Sequence, residues 1–243
     1  MSTATLRPLA ATELHLWRLR LDLPARAQSA TETALAPDER ERAAHFYFAA
    51  DARRFVAAHG QLRQLISAYV GRRPAELVFA ANDFGKPGLA APADVLQFNL
   101  AHSGAWALVA LTAAVPVGVD VEACRPITDR AAIAERFFAP GEAQRLSALP
   151  AGEQAAAFFR CWTRKEAYLK ARGLGLSLPL DAFEVTLETG QPRLLWVQDD
   201  PAEAAAWQLL EPAMPPGYAA AIAVRGREAA LVDCGEWPIR GDT

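Results

Sequence analysis

The chain has little of what builds covalent or metal-linked scaffolds. It carries three cysteines (Cys124, Cys161 and Cys234) and four histidines in 243 residues. The cysteines are odd in number, widely spaced and without a C-x-x-C pattern, which argues against a disulfide framework. With no His/Cys set beside them they also argue against a zinc site. Three free thiols in a reducing cytosol are the expectation. No apolar run reaches the roughly 18–20 residues of a membrane span. The segment Met1 to Pro8 shows no basic stretch leading into an apolar core, so no signal peptide is expected. A net charge of −3 leaves no overall basic field for nucleic acid. Any anionic ligand must be held by a local group of lysines and arginines. These absences predict a cytoplasmic protein with neither a membrane nor a nucleic-acid partner.

What is there is an ordinary globular composition, 52% hydrophobic and 22% charged, long enough for one large domain or two small ones. Leu14 to Leu21 alternates in part, with Trp17, Leu19 and Leu21 on one parity and Arg18 and Arg20 on the other, as in a half-buried strand. Pro24 to Thr33 reads as a loop or short helix. Pro37-Asp38-Glu39 opens a helical region with an acidic start, and Asp51 to Val70 continues in helical period. Asn82 to Gly88 is dense in turn formers. Gln97 to Leu100 and Trp106 to Thr112 read as strands, and Gly118 to Glu122 as another. Thr128 to Leu149 predicts two short helices broken at Ala139-Pro140-Gly141, and Glu153 to Arg172 a long helix stopped by Gly173 and Gly175. Five strand-like runs follow, from Ala182 to Val232. A helix and a strand meander, twice over, predict an α+β fold of two similar, pseudo-duplicated α/β halves. Each is a helix packed on a mainly antiparallel sheet, divided as residues 1–117 and 118–243. No residue-by-residue repeat accompanies this.

Residues i and i+2 of a strand share a face, so Asp120 and Glu122 project together while Val119 and Val121 point the other way. Alone, such a pair is the wet edge of any alternating strand. The helix adds Glu166, four after Trp162 and three before Leu169, on or beside the apolar stripe, with Lys170 four further on. As an exposed i,i+4 pair, Glu166 and Lys170 are worth only about 0.3–0.5 kcal/mol. A partly buried glutamate instead needs a partner or a metal. Three carboxylates suit Mg²⁺, which takes one or two of them together with substrate phosphates and water.

Gly118-Val119-Asp120-Val121-Glu122 and Trp162-Thr163-Arg164-Lys165-Glu166-Ala167-Tyr168-Leu169-Lys170 resemble the two signature motifs of the 4′-phosphopantetheinyl transferases, of the monomeric, surfactin-synthetase-activating type. Phe84-Gly85-Lys86-Pro87, Phe98 to Gly104 and Gly173 to Leu180 add to the resemblance, which covers about residues 37 to 185. It implies the fold of that family and an Mg²⁺-dependent reaction. The phosphopantetheine arm of coenzyme A passes to a serine of an apo acyl or peptidyl carrier protein, and adenosine 3′,5′-bisphosphate leaves. Asp120, Glu122 and Glu166 match the family's metal ligands. Glu166 is the candidate for taking the serine proton, directly or through a water on the metal. Lys170 matches the lysine that meets the diphosphate, and Lys165 and Trp162 belong to the same motif, Lys165 as a further contact for coenzyme A and Trp162 as packing. His102 matches the histidine near the 3′-phosphate of coenzyme A, with Arg42, Arg54, Lys86 and Ser103 as further contacts. Ala101 stands where the family often has serine. Glu39 stands where some relatives carry a basic residue, which would weaken the phosphate cluster. Phe137 and Phe138 are candidates for carrier docking. Fatty-acid, polyketide and non-ribosomal peptide pathways all offer suitable serines. Two other readings use the same residues: a metal-dependent diphosphate hydrolase, and a module that binds coenzyme A or a carrier without catalysis.

Overall fold

The computed structural model describes residues 6–90, 96–198, 200–226 and 228–238. The first part of the chain forms β1 (Glu13–Arg20), α1 (Ala25–Ala34), α2 (Pro37–Ala44), α3 (Ala49–Val70), β2 (Phe79–Ala81), β3 (Pro87–Leu89), β4 (Gln97–Ser103) and β5 (Trp106–Thr112). Then come β6 (Val117–Ala123), α4 (Arg130–Phe137), α5 (Pro140–Ala148) and α6 (Ala151–Arg172). The chain continues through β7 (Phe183–Val185), β8 (Leu194–Val197), β9 (Trp207–Leu210), β10 (Tyr218–Arg225) and β11 (Ala230–Glu236). They fold into two compact units, one of Met1–Ala80, Gly88–Ala114 and Leu231–Thr243, the other of Ala81–Pro87 and Val115–Ala230. Among the described residues no helix is long and apolar enough to cross a membrane.

The first unit holds a sheet of order β11-β1-β5-β4, with β1 and β4 both antiparallel to β5. The alternation of β1 holds only in its second half: Trp17, Leu19 and Leu21 are buried in one core with Ala58, Leu62, Leu65 and Ile66 of α3, whereas Leu14, His15 and Leu16 before them are buried on both parities. Arg18 and Arg20 instead pair with Asp233 and Glu236 of β11. Every residue of β5 is buried, as a strand covered on both faces requires. The segment left open between loop and helix is α1, which lies so close to α3 that a Cβ on Gly60 would meet the Thr31 carbonyl oxygen at 2.3 Å.

The second unit holds a sheet of order β6-β10-β9 and the pair β7-β8, all antiparallel. Its core joins Phe158, Tyr168 and Leu169 of α6 to Phe183, Val185, Leu209 and Ala221. The Tyr168 ring lies 4.9 Å from Phe183 and 5.4 Å from Trp207, centroid to centroid. Helix α6 ends as expected at Gly173, whose φ of +65° is the left-handed cap conformation that glycine adopts without strain. Gly118 has a different reason to be glycine. A Cβ there would stand 2.2 Å from both the Ala167 carbonyl oxygen and the Ala171 nitrogen, so only glycine lets β6 lie against α6.

Each unit thus pairs a 22-residue helix with antiparallel strands, α3 in one and α6 in the other. The division differs from a single cut after residue 117. The last strand, β11, returns to cover the edge of β1, satisfying backbone groups that an open edge would expose. The turn Ala81–Pro87 leaves the first unit for the second.

Candidate active site

Because Gly118 faces α6, Asp120 and Glu122, two and four positions later on β6, face it too. Asp120 is 4% exposed, and its Oδ1 accepts a hydrogen bond from the Lys170 ammonium at 2.5 Å. Its Oδ2 is buried with no hydrogen-bond partner among the described residues, a costly state for a carboxylate oxygen. Burial pushes the Asp120 carboxyl up to about 7; Lys170 opposes the rise, while Glu122 and Glu166 add to it by charge repulsion. Burial also raises Glu166, with Lys170 opposing and Glu122 adding. The three carboxylates therefore feel one another across the β6–α6 contact, with Lys170 as their counter-charge. Among the described residues, no three His, Cys, Asp or Glu side chains are drawn together tightly enough to grip an ion unaided.

Beside Glu122 opens a cavity of about 330 Å³, lined also by Arg125, Ile127, Ile133, Phe158 and Trp162. Trp162 is packed as expected, stacked on Phe158 with ring centroids 6.0 Å apart. The aromatic pair at the α4–α5 break divides: Phe138 is buried in the core of the second unit and Phe137 is 40% exposed. Only Phe137 is available to a partner.

Lys165 does not join this site. Its ammonium is wholly buried, 2.6 Å from the Glu142 Oε2 and 2.6 Å from the Phe183 carbonyl oxygen, on a different side of α6 from Glu166 and Lys170. Burial lowers the Lys165 amine and raises the Glu142 carboxyl, with each partner opposing the other's shift. A lysine held this way is a strut between α5, α6 and β7, not a contact for coenzyme A. Lys86 also turns inward. Its Nζ donates to the Val117 carbonyl oxygen at 2.9 Å and to the Ala171 carbonyl oxygen at 3.1 Å, and burial lowers its amine to about 8. Asn82 organises the same turn, accepting the backbone N–H of Phe84 and of Lys86 and donating to the Gly173 carbonyl oxygen at 2.8 Å. In the sequence Asn82 shows only as a turn former, and nothing local marks Glu142, whose partners Lys165 and Val185 lie 23 and 43 positions on. The Asx-turn composition of Asn82 to Gly85 was the only signal for Asn82.

In the first unit, His102 and Ser103 sit at the end of β4, against a two-residue turn whose Gly104 has φ +58°. His102 is exposed there. Arg42 lies over the Phe55 ring, 5.1 Å from its centroid, and the Arg54 Nε donates to Asp22 at 3.2 Å. Glu39 has an internal role. Its Oε2 accepts from the Arg63 Nε at 2.5 Å and from the Ala36 N–H at 3.0 Å. Burial raises its pKa, but hydrogen bonds from His59, Arg63 and Ala36 outweigh that and hold it below the usual carboxylate range. Its charge is met by Arg63, so it need not weaken a phosphate cluster. Ala101 is buried, and a serine there would have to bury its hydroxyl as well.

Residues 116–223 match the 4′-phosphopantetheinyl transferase superfamily, and residues 24–114 match the N-terminal region of 4′-phosphopantetheinyl transferase. Over 220 residues, 90% of each chain, the sequence is 39% identical to the 4′-phosphopantetheinyl transferase HetI of Nostoc sp.. The chain belongs to the 4′-phosphopantetheinyl transferase superfamily. It is 36% identical over 153 residues to the 4′-phosphopantetheinyl transferase Sfp of Bacillus subtilis, spanning 63% of this chain and 66% of that one. It is 39% identical over 158 residues to the 4′-phosphopantetheinyl transferase psf-1 of Bacillus pumilus, 65% and 66% of the two chains. The 4′-phosphopantetheinyl transferases move the phosphopantetheine arm of coenzyme A to a serine of an apo carrier protein. This chain is an enzyme of that kind.

Proposed function

We propose that this 4′-phosphopantetheinyl transferase works through the carboxylates of β6 and α6, with Mg²⁺ held by Asp120, Glu122 and Glu166. The observation that carries the reading is the Oδ2 of Asp120, buried and without a hydrogen-bond partner among the described residues, on a carboxyl that shares its charge environment with two more carboxylates and a lysine. The donor set is all oxygen, as Mg²⁺ prefers, and that ion is commonly held by one or two carboxylates plus substrate phosphates. A ready-made grip by three side chains is therefore not required. Bound Mg²⁺ would neutralise the diphosphate of coenzyme A and favour the ionised carboxylates.

The chain's own groups supply the rest. Lys170 offers a positive charge to the phosphate that leaves with adenosine 3′,5′-bisphosphate. Glu166 is the group that would take the proton of the carrier serine, directly or through a bound water. That serine oxygen bonds to the β-phosphorus as the bond to the α-phosphate oxygen breaks. His102, Ser103, Arg42 and Arg54 serve the 3′-phosphate in this reading, on the strength of their motif positions. The enzyme acts as a monomer in the cytoplasm, and the free thiols of Cys124, Cys161 and Cys234 suit a reducing compartment.

The test is intact-mass spectrometry of apo acyl and peptidyl carrier proteins incubated with this protein, coenzyme A and Mg²⁺. A carrier serine that gains one phosphopantetheinyl group supports transfer. Release of the arm without a modified carrier would mean a hydrolase, and binding without product a docking module.

A further inference from the structure

We propose that Lys86 is a positioning residue: its ammonium ties the start of β6 to the end of α6 and so sets the distance between the two rows of functional side chains. This rests on the catalytic reading of those rows given above. Val117 is three residues before Asp120, and Ala171 is the residue after Lys170. Lys86 reaches both carbonyl oxygens at once, at 2.9 and 3.1 Å, from a turn more than thirty residues away in sequence from either.

Three features make this a built clamp and not a chance contact. First, the Ala171 carbonyl is one of the last in α6, so it has no partner inside the helix, and a lysine there is also favoured by the helix dipole. Second, the turn grips the same helix end through a second group, since Asn82 Nδ2 donates to the Gly173 carbonyl oxygen at 2.8 Å. The Asn82 Oδ1 meanwhile accepts the N–H of Phe84 at 3.0 Å and of Lys86 at 2.9 Å, which holds the turn rigid. Third, the fit leaves no slack. A Cβ on Gly173 would meet the Lys86 Cδ at 3.0 Å and Asn82 Nδ2 at 3.1 Å, and one on Gly118, next to Val117, would strike the backbone of α6.

The clamp therefore closes one end of the β6–α6 contact whose other end carries Glu122 and Glu166. Two of the three donors of the ammonium are committed to carbonyl groups. Lys86 then acts on the reaction through the carboxylates and not by touching a phosphate of coenzyme A.

Two measurements on Lys86→Met, Lys86→Arg and Asn82→Ala test this. The first is amide hydrogen exchange of each protein alone. Faster exchange in β6 and the last turn of α6 is expected for Lys86→Met and Asn82→Ala, with Lys86→Arg closer to the parent. The second is steady-state transfer with coenzyme A and 3′-dephospho-coenzyme A over a range of Mg²⁺. For Lys86→Met, kcat should fall roughly 10- to 100-fold, the scale of a sub-ångström to ångström misplacement. The Mg²⁺ needed for half-maximal rate should rise, while the KM ratio of the two substrates stays at its parent value. Lys86→Arg should recover part of kcat. If Lys86→Met keeps kcat but raises KM for coenzyme A alone, Lys86 is a phosphate contact and the proposal fails. Parent-like exchange in Lys86→Met overturns it as well. Should Lys86→Met fail to fold, Asn82→Ala carries the same two readouts, and parent-like values there overturn it. An unmodified protein that transfers to no carrier would sink the proposed function, whereas an active parent with unaffected variants would sink only the clamp.

Discussion

The Glu142 Oε2 lies 2.6 Å from the Lys165 Nζ, and neither side chain has any exposure to solvent. Glu142 is also the acceptor for two backbone groups, the Ala139 N–H at 2.9 Å and the Val185 N–H at 2.7 Å. One carboxylate thus fixes the start of α5, the strand β7 and the middle of α6.

Removing one member of such a pair leaves the other charge buried, which costs about 3–5 kcal/mol, whereas replacing both is often close to neutral. Lys165→Met should therefore lower unfolding free energy in urea by about that much. Adding Glu142→Gln, which keeps an acceptor for the backbone N–H groups, should recover a large part. The KM for coenzyme A in the double variant should match the parent. A raised KM in the double variant would return Lys165 to the substrate site.

Local periodicity made much of the second unit legible. The i, i+2 rule puts Asp120 and Glu122 on one face of β6, and that face does meet α6. The helical period of α6 and the glycine at its end are matched at Arg172 and Gly173. The burial of Lys165 was not legible, because its motif says nothing of a partner and Glu142 lies 23 positions earlier. The inward bonds of Lys86 were not legible either, because nothing local joins its turn to the carbonyl groups 31 and 85 residues away. Strand β11 was legible only as far as Val232 although it runs to Glu236, and nothing local says that it pairs with β1, where Arg18 and Asp233 are 215 residues apart.

His102 carries the second prediction. It sits exposed at the end of β4, at the motif position matched to the 3′-phosphate. A hydrogen bond to a charged group contributes about 1.5–3 kcal/mol, so His102→Ala should weaken coenzyme A binding by roughly tenfold or more. Binding of 3′-dephospho-coenzyme A should change little. Titration calorimetry with both ligands measures the difference, and equal weakening of the two would remove the contact.

Asp120 links stability, pH and metal. Its carboxyl is raised from 3.8 to about 7, mainly by burial, so the folded protein holds this proton more tightly than the unfolded chain does. The stability that this adds is full below the unfolded pKa and is lost as pH rises through the folded one. Between about pH 4 and about pH 7, Asp120 should therefore lower Tm as pH increases in metal-free buffer. Mg²⁺ takes the ionised carboxylate and expels the proton, so its own stabilising effect should run the other way. The rise in Tm on adding Mg²⁺ should be larger at about pH 8 than at about pH 6, and Asp120→Asn should flatten both trends. Thermal unfolding with and without Mg²⁺ across that range is the measurement. If Asp120→Asn keeps the full Mg²⁺ increment, the ion is held by other groups.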